Sequence, residues 1–322
     1  MRAAIGIGIS IVVAAAGIFA FSPRIPESLA ERNIPINNMN ITSLSSSAAG
    51  LVAAGELGHI LVSKDDGQSW NFAEIDKQRH ALITRLHFQN DTLGFATGHE
   101  GWILRTEDGG ESWSEVSFDK ERNEPILDIK QLPSGRWVGI GGFGKLVSSD
   151  DQGKHWNIEP PPNGTDWHLN ALLSSDDAQS WLIAGEAGTV FRSLDQGESW
   201  EPLPEFYHGS FYGGLHLGGE NWLLYGMRGN LFRTSDNGES WQKLDFTIPI
   251  SIFAHEFLND GSVLLAGQGG MILRSSDNGQ SFQMVYRGGR MSVTDLQPLE
   301  NGDLIMSSDS GVQSVALSNL LN

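Results

Sequence analysis

The chain has 322 residues, of which 39% are hydrophobic and 19% are charged, and this composition is typical of a folded protein with a large core. Its 21 Lys and Arg residues against 39 Asp and Glu give a formal net charge of −18, which disfavours nucleic acid as a partner because phosphate backbones are anionic. The sequence contains no cysteine, which excludes disulfides, thiol catalysis and cysteine-ligated metal sites.

The first predicted element is an apolar leader. Residues 3–21 contain no charge, and this pattern is typical of a signal peptide or of an uncleaved membrane anchor. Small residues at its end suit cleavage, whereas Pro23 disfavours it, so both alternatives remain open. We expect residues 1–24 to direct the export of residues 25–322 to a periplasm or lumen. If no cleavage occurs, residues 3–21 are expected to anchor the exported protein in the cytoplasmic membrane.

A repeat organises everything after the leader. The pattern Ser/Thr-x-Asp-x-Gly-x-x-aromatic occurs six times, and successive aromatic residues are separated by 43, 43, 44, 41 and 41 positions. The Asp carboxylate and the hydroxyl can accept turn N–H groups while Gly takes a positive φ, so we interpret each copy as a self-satisfied turn. The six aspartates are Asp65, Asp108, Asp151, Asp195, Asp236 and Asp277.

A second signature, Gly-x-x-Gly followed by an apolar strand, precedes each copy and is typical of a tight hairpin. Each unit is therefore predicted to contain four antiparallel strands. In the second unit the first three strands cover residues 83–88, 93–97 and 102–106, and the fourth strand begins at residue 113. Units of 40–45 residues with four strands are propeller blades. The predicted fold class is an all-β, seven-bladed propeller of four-stranded antiparallel blades.

The seventh unit begins after the last repeat and is incomplete. Residues 293–298, 303–307 and 312–317 predict three strands without an Asp turn or a fourth strand. We expect the missing strand to come from residues 25–30, because a strand supplied from the other end of the chain would close the ring and cover an exposed edge.

The repeat is the Asp-box, or BNR repeat, and its copies resemble those of the photosystem II stability and assembly factor family of seven-bladed propellers. The resemblance implies a non-enzymatic, exported helper that binds a protein client belonging to a membrane or envelope complex. Photosynthetic members present an arginine-rich patch to their client, and this chain departs from that pattern. Four arginines instead share one third-strand position, where we predict bridges to neighbouring blades: Arg105, Arg192, Arg233 and Arg274.

A glycoside hydrolase is the alternative function. Sialidases also carry Asp-boxes, and residues 24–26 resemble their Arg-Ile-Pro motif. Such an enzyme also needs further arginines, a tyrosine nucleophile and a paired glutamate. The sequence has four tyrosines, none with an obvious glutamate partner, so no catalytic residue is assigned.

No cofactor or metal is predicted. Calcium needs several clustered oxygen ligands, whereas each Asp-box supplies a single carboxylate on its own blade. The nine histidines show no zinc-binding spacing on a helix.

A monomeric propeller that binds protein should use its irregular face, since the Asp-box turns are nearly identical to one another. This face joins the turns between second and third strands to the loops that connect successive blades. Aromatic side chains mixed with charges there suit protein recognition, although the aromatics could instead only cap the blade ends. The candidates are Glu56, His99, Glu100, Asp166, Trp167, His168, Glu186, Phe211, Tyr212 and Arg228.

Overall fold

The computed structural model describes residues 2–21, 35–246 and 248–321. The chain divides into two compact units, Met1–Ile34 and Pro35–Asn322. The first contains helix α1 (Arg2–Phe21), and no helix among the described residues has the combined length and apolar character that a membrane crossing requires. The predicted roles of residues 1–24 as signal or anchor, and the boundary at residue 24, remain predictions.

The second unit is a seven-bladed propeller, as predicted. Each blade is a separate sheet of antiparallel strands that follow chain order from the central channel outward, and we name them A to D. The sheet of blade 2 also carries one short strand, Glu74–Ile75, paired in parallel at its outer edge. Blade 1 contains β1 (Ile41–Ser47), β2 (Gly50–Gly55), β3 (Ile60–Ser63) and β4 (Asn71–Phe72). The short strand β5 (Glu74–Ile75) follows it, and then blade 2 contains β6 (Ile83–Phe88), β7 (Gly94–Gly98), β8 (Ile103–Thr106) and β9 (Ser112–Ser117).

The next three blades repeat this order. Blade 3 contains β10 (Ile126–Gln131), β11 (Trp137–Gly141), β12 (Leu146–Ser149) and β13 (Asn157–Glu159). Blade 4 contains β14 (Leu169–Ser174), β15 (Trp181–Gly185), β16 (Val190–Ser193) and β17 (Glu201–Pro202). Blade 5 contains β18 (Phe211–His216), β19 (Trp222–Gly226), β20 (Leu231–Thr234) and β21 (Gln242–Lys243).

The last two blades differ in their outer strands. Blade 6 contains β22 (Ile252–Phe257), β23 (Val263–Gly267), β24 (Met271–Ser275) and β25 (Gln283–Arg287). Blade 7 contains β26 (Val293–Pro298), β27 (Asp303–Ser308) and β28 (Gly311–Ala316), and helix α2 (Ser318–Leu321) follows. Blade 7 thus has three strands among the described residues, and the predicted closing strand, residues 25–30, lies outside them.

Among the described residues, the same hydrogen bond joins neighbouring blades at four junctions along the channel. A side chain at the second position of an A strand donates to the first carbonyl of the next A strand, as Thr42 does to Ile83 and Thr84 does to Ile126. Thr294 of blade 7 donates in the same way to the carbonyl of Ile41 in blade 1. The first and last blades are therefore neighbours at the channel, and this bond closes the ring.

The Asp-boxes are self-satisfied turns, as predicted. In blade 2, Asp108 Oδ1 accepts the Thr106 hydroxyl at 2.7 Å and the Ser112 amide at 3.0 Å, while Oδ2 accepts the Ser112 hydroxyl. The Trp113 indole donates to the carbonyl of Gly110 and packs among buried residues of blades 1 and 2. Each box therefore satisfies its own turn and places an aromatic ring between adjacent sheets.

The arginines at the shared C-strand position divide into two pairs. Arg105 donates to the carbonyl of Gln152 in the next blade, and Arg192 donates to that of Asn237, so these two bridge blades as predicted. The prediction is wrong for the other pair, because Arg233 bonds Asn221 and Arg274 bonds Asp260, each within its own blade. In blades 5 and 6 a polar residue of the A–B turn accepts a hydrogen bond from the guanidinium, so the arginine does not bond to the next blade.

Candidate functional site

The loop face comprises the B–C turns and the connections between blades, and its turns share one backbone geometry. In blade 3 the turn runs from Gly141 to Lys145, with Phe143 at φ 56° and Gly144 at φ 72°. Two consecutive positive φ values are typical of a type I′ turn, for which glycine is favoured. At Gly141 an added Cβ would lie 1.9 Å from the carbonyl oxygen of Pro125, so the incoming chain crosses this residue closely. The turns are consequently rigid platforms.

Phe143 stands at the tip of its turn with 61% of its surface exposed. Its ring packs edge-on against that of His168, with ring centroids 4.7 Å apart, and the adjacent Trp167 is 48% exposed. The amide of Gly144 donates to the Trp167 carbonyl at 2.9 Å, which fixes the loop against the turn. We call Phe143, Trp167 and His168 the aromatic patch.

Phe143 was missed from the sequence, although the signal was present. In the five other described turns of this geometry the tip residues are Leu57, Glu100, Ala187, Arg228 and Gly269, so among these six turns blade 3 alone presents a large aromatic ring. A bulky residue at positive φ is uncommon and costs conformational energy. Aromatic side chains fixed on a rigid turn are the type of group that contributes most to protein interfaces.

Charges around the aromatic patch are mainly acidic. Lys145 lies beneath the turn with 2% of its side chain exposed, and its ammonium contacts Asp119 at 2.8 Å and Glu124 at 3.4 Å. The hydrogen bond from Lys145 lowers the pKa of Asp119. Asp166 is exposed and has no ion pair among the described residues. The buried cation therefore presents no charge to a partner, while Asp166 does.

Two predicted site residues have a structural task. The Glu56 carboxylate accepts the amide N–H of Asn40 at 3.1 Å, and that of Glu186 accepts the amide of His168 at 3.4 Å. In blade 6, Gln268 accepts the amide of Ser251 in the same way. In these three blades, the side chain of the first turn residue thus accepts a backbone N–H from the segment that leads into the A strand of the same blade.

Other predicted residues lie along the same face with differing exposure. His99 and Arg228 are exposed, and Glu100 is half-buried at its turn tip. Tyr212 is half-buried on β18, with its ring 5.4 Å from that of Phe253 on the next A strand. Tyr212 thus lies beside the channel rather than beside Trp167 in the aromatic patch.

Phe211 is corrected by the structure. It is the first residue of β18 rather than a loop residue, and its exposed fraction is 0%. Its ring lies 5.1 Å from that of Tyr207 and 5.8 Å from that of Phe232, inside the core cluster between blades 4 and 5. Phe211 therefore supports the blade and presents no surface to a partner.

The central channel contains a network of charged side chains that the repeat pattern did not predict. Asp128 accepts amide N–H groups from Ile129 and from Leu172 of the next blade, and the Arg85 guanidinium lies 3.7 Å from it. Asp295 accepts in the same way from Leu296 and from Leu44 of blade 1. Both carboxylates join successive A strands, and Arg85 supplies a compensating charge.

Burial shifts the pKa of several channel groups. It lowers the pKa of His255 to about 3, helped by the charges of Arg85 and Lys130, and the neutral ring lies 2.8 Å from the Tyr225 hydroxyl. Burial and the charge of Asp295 raise the pKa of Glu256 to about 7. A cavity of about 180 Å³ opens beside Arg85, Lys130 and His255, but Asp128 and Asp176 also line it. The cavity is therefore lined by charges of both signs.

Comparison with known proteins agrees with this architecture. A model of the family described as photosynthesis system II assembly factor YCF48 matches residues 14–107. The structure of YCF48 bound to D1 peptide is similar with a TM-score of 0.68 at 20% identity, over 87% of this chain and 94% of that one. This chain is an Asp-box propeller that resembles the YCF48 assembly factors. YCF48 from Cyanidioschyzon merolae is also similar, with a TM-score of 0.66 at 16% identity over 87% of this chain and 96% of that one.

Enzymes share the same scaffold. The GH74 xyloglucanase from Xanthomonas campestris gives a TM-score of 0.69 at 12% identity, over 88% of this chain and 53% of that one. No curated protein sequence matches the chain. At these identities the structural matches establish the fold alone, and the function has to be argued from the surface.

Proposed function

We propose that this chain is a non-enzymatic, exported scaffold that binds a protein client and assists the assembly or stability of a membrane or envelope complex. The aromatic patch is the observation that carries the proposal, because Phe143 is exposed on a rigid turn and Trp167 on the loop fixed against it, although large apolar side chains are usually buried. The resemblance to YCF48, of which one structure contains a D1 peptide, supports a protein client.

The position of the patch is consistent with a recognition role. It lies on the loop face, where blade connections differ from one another, whereas the Asp-box turns on the opposite face are alike. Rigid aromatic side chains lose little conformational entropy on binding, which favours affinity. The same scaffold can thus recognise a client without a catalytic group.

Affinity capture from the native membrane tests the client-binding proposal. The full chain and its Phe143→Ala/Trp167→Ala variant are used as baits, and captured proteins are identified by mass spectrometry. We expect the double substitution to deplete a specific client at least tenfold with unchanged thermal unfolding, because both side chains are largely exposed.

The matched control is Asp195→Ala on the opposite face. It removes hydrogen bonds from the Ser193 hydroxyl and the Ser199 amide, so it should lower stability while leaving capture at the wild-type level at a temperature where the protein is folded. Equal capture by wild type and the double variant, or loss of capture only in the Asp195 variant, would place the site elsewhere.

Export is part of the proposal, and its support is the uncharged run of residues 3–21. Residues 1–30 fused to a reporter that is active only outside the cytoplasm should give reporter activity. Fractionation of the full chain then separates a cleaved, released product from an uncleaved product retained in the membrane. Reporter inactivity would contradict export.

Glycoside hydrolysis is kept as a second candidate because of the similarity to the xyloglucanase propeller. The described residues offer limited support for it. Tyr225 pairs with His255 and Tyr207 bonds Asn230, so neither tyrosine is bonded to a glutamate, and Arg24 lies outside the described residues. Turnover of xyloglucan or of sialyl substrates above a heat-inactivated control would favour the hydrolase, and we expect none.

A further inference from the structure

We propose that the aromatic patch binds a cationic segment of its protein client, with an Arg or Lys side chain over the exposed rings and the neighbouring carboxylates as counter-charges. This inference rests on the proposed protein-binding function and specifies the partner. Three features of the described surface carry it: the exposed rings, the unpaired acids beside them and the neutralised lysine beneath.

The rings are accessible and held in place. Trp167 is tied through its carbonyl to Gly144, its own amide lies 3.2 Å from the Thr165 hydroxyl, and the ring of Phe143 rests on His168. An exposed aromatic face attracts a cation through its quadrupole, and Trp gives the strongest such interaction. An apolar partner side chain beside the cation would complete the contact.

The acidic groups are adjacent to these rings. Asp166 directly precedes Trp167, and Glu186 lies against the backbone of His168. Neither Asp166 nor Glu186 has an ion pair in the part of the chain that the structure describes. These two carboxylates give the surroundings of the patch a negative potential, which the net charge of −18 reinforces at long range.

Nearby cations do not cancel this potential. Lys145 is buried and shared between Asp119 and Glu124. Counted together, the three cations Lys120, Arg122 and Lys145 are balanced by three acids of the same loop: Asp119, Glu121 and Glu124. Arg79, exposed on the connection between blades 1 and 2, is paired with Glu115 at 2.7 Å. The exposed arginines Arg228, Arg287 and Arg290 belong to blades 5 and 6 or the connection to blade 7. The loop face is consequently polarised, with its aromatic patch in the acidic part.

Electrostatic complementarity therefore selects a cationic occupant. An acidic segment or an anionic lipid surface would be repelled at the patch. A second copy of this chain carries the same net charge and would also be repelled at long range. A basic segment with apolar neighbours meets both the rings and the carboxylates.

The experiment uses the full chain in non-ionic detergent and three labelled peptides with blocked termini. The peptides share an alternating leucine framework and carry Arg, Gln or Glu at the variable positions. Fluorescence anisotropy should show the Arg peptide binding at least tenfold more tightly than the Gln peptide, with the Glu peptide weakest. Raising the salt concentration should weaken the Arg peptide most.

Variants separate the rings from the charges. Trp167→Ala should weaken the Arg peptide at least tenfold, and Asp166→Asn/Glu186→Gln should weaken it and reduce its salt dependence. The Gln substitution preserves the turn, because Gln268 accepts the equivalent amide N–H in blade 6. Arg228→Gln on the other part of the face is the matched control and should bind as the wild type does.

Several results would overturn this inference: equal binding of the Arg and Gln peptides, preference for Glu, or an Arg peptide unaffected by Trp167→Ala. Failure of the proposed function is distinguishable. If native capture depends on Phe143 and Trp167 while peptide charge has no effect, the binding function stands and the cationic partner is wrong. If the Arg peptide binds as expected but no native protein is captured through the patch, the cationic site stands and the client-binding function is wrong.

Discussion

Glu256 provides a quantitative test of the channel network. It lies half-buried on β22, where burial and then the charge of Asp295 raise its pKa from 4.5 to about 7. The folded protein therefore retains a proton between these pH values that the unfolded chain releases. Its contribution to stability is fully present below pH 4.5 and is lost as the pH rises through about 7.

The expected magnitude follows from this difference. A rise of 2.5 in the pKa, from 4.5 to 7, corresponds to about 3 kcal/mol at ~1.4 kcal/mol for each pKa unit, and partial exposure reduces the contribution to about 2 kcal/mol. Glu256→Gln keeps the shape of the side chain and has no charge at any pH. The variant should therefore lack this part of the pH dependence. Its stability relative to the wild type should rise by about 1.5 kcal/mol between pH 5 and pH 8.5, because about a quarter of the effect is already lost at pH 5.

Urea unfolding followed by the fluorescence of the ten tryptophans measures this difference at both pH values. Burial lowers the pKa of His87 to about 4, which acts in the opposite direction, but His87 is present in both proteins and cancels from the comparison. Glu220→Gln, at an exposed position, is the control and should follow the wild type. Identical pH profiles for wild type and Glu256→Gln would refute the assigned burial of this carboxyl group.

Three further perturbations test the fold. Trp113→Ala should lower the free energy of unfolding by about 3–5 kcal/mol. This loss should exceed that of Trp200→Ala, because Trp113 is 1% exposed whereas Trp200 is half-buried, and equal losses in urea unfolding would contradict the prediction. Thr294→Val removes the hydrogen bond to the Ile41 carbonyl and should lower the free energy of unfolding by about 1–2 kcal/mol. Amide hydrogen exchange in β1 and β26 should become faster, and unchanged exchange would argue against ring closure at this bond. If residues 25–30 complete blade 7, deleting residues 23–34 should lower the Tm of the propeller, whereas an unchanged Tm would reject that closure.

The number and architecture of the blades could be predicted from the sequence because each unit carries its own local signals. The strands at Ile83–Phe88 and Val293–Pro298 have the bounds that alternation and turn residues predicted. The Asp-box network needs only a hydroxyl, a carboxylate and a glycine within a few residues, so Asp108 forms it whatever the neighbouring blades contain. Local hydrogen bonding of this kind can be predicted from the sequence.

The surface and the channel were decided by packing between units that are distant in sequence. Phe211 begins a strand and enters the core between two blades, whereas Phe143 is held outward on its turn; a sequence lists both simply as aromatics near glycines. Arg233 and Arg192 occupy the same position of the repeat, yet Arg233 bonds Asn221 of its own blade whereas Arg192 reaches the next blade. Alternation determines which residues share a face of a strand, but the partner that meets that face depends on how the sheets are arranged around the ring. For this reason the sequence by itself determined the propeller and its Asp-box turns, and only the tertiary structure decided where an exposed aromatic patch would meet unpaired acidic charge.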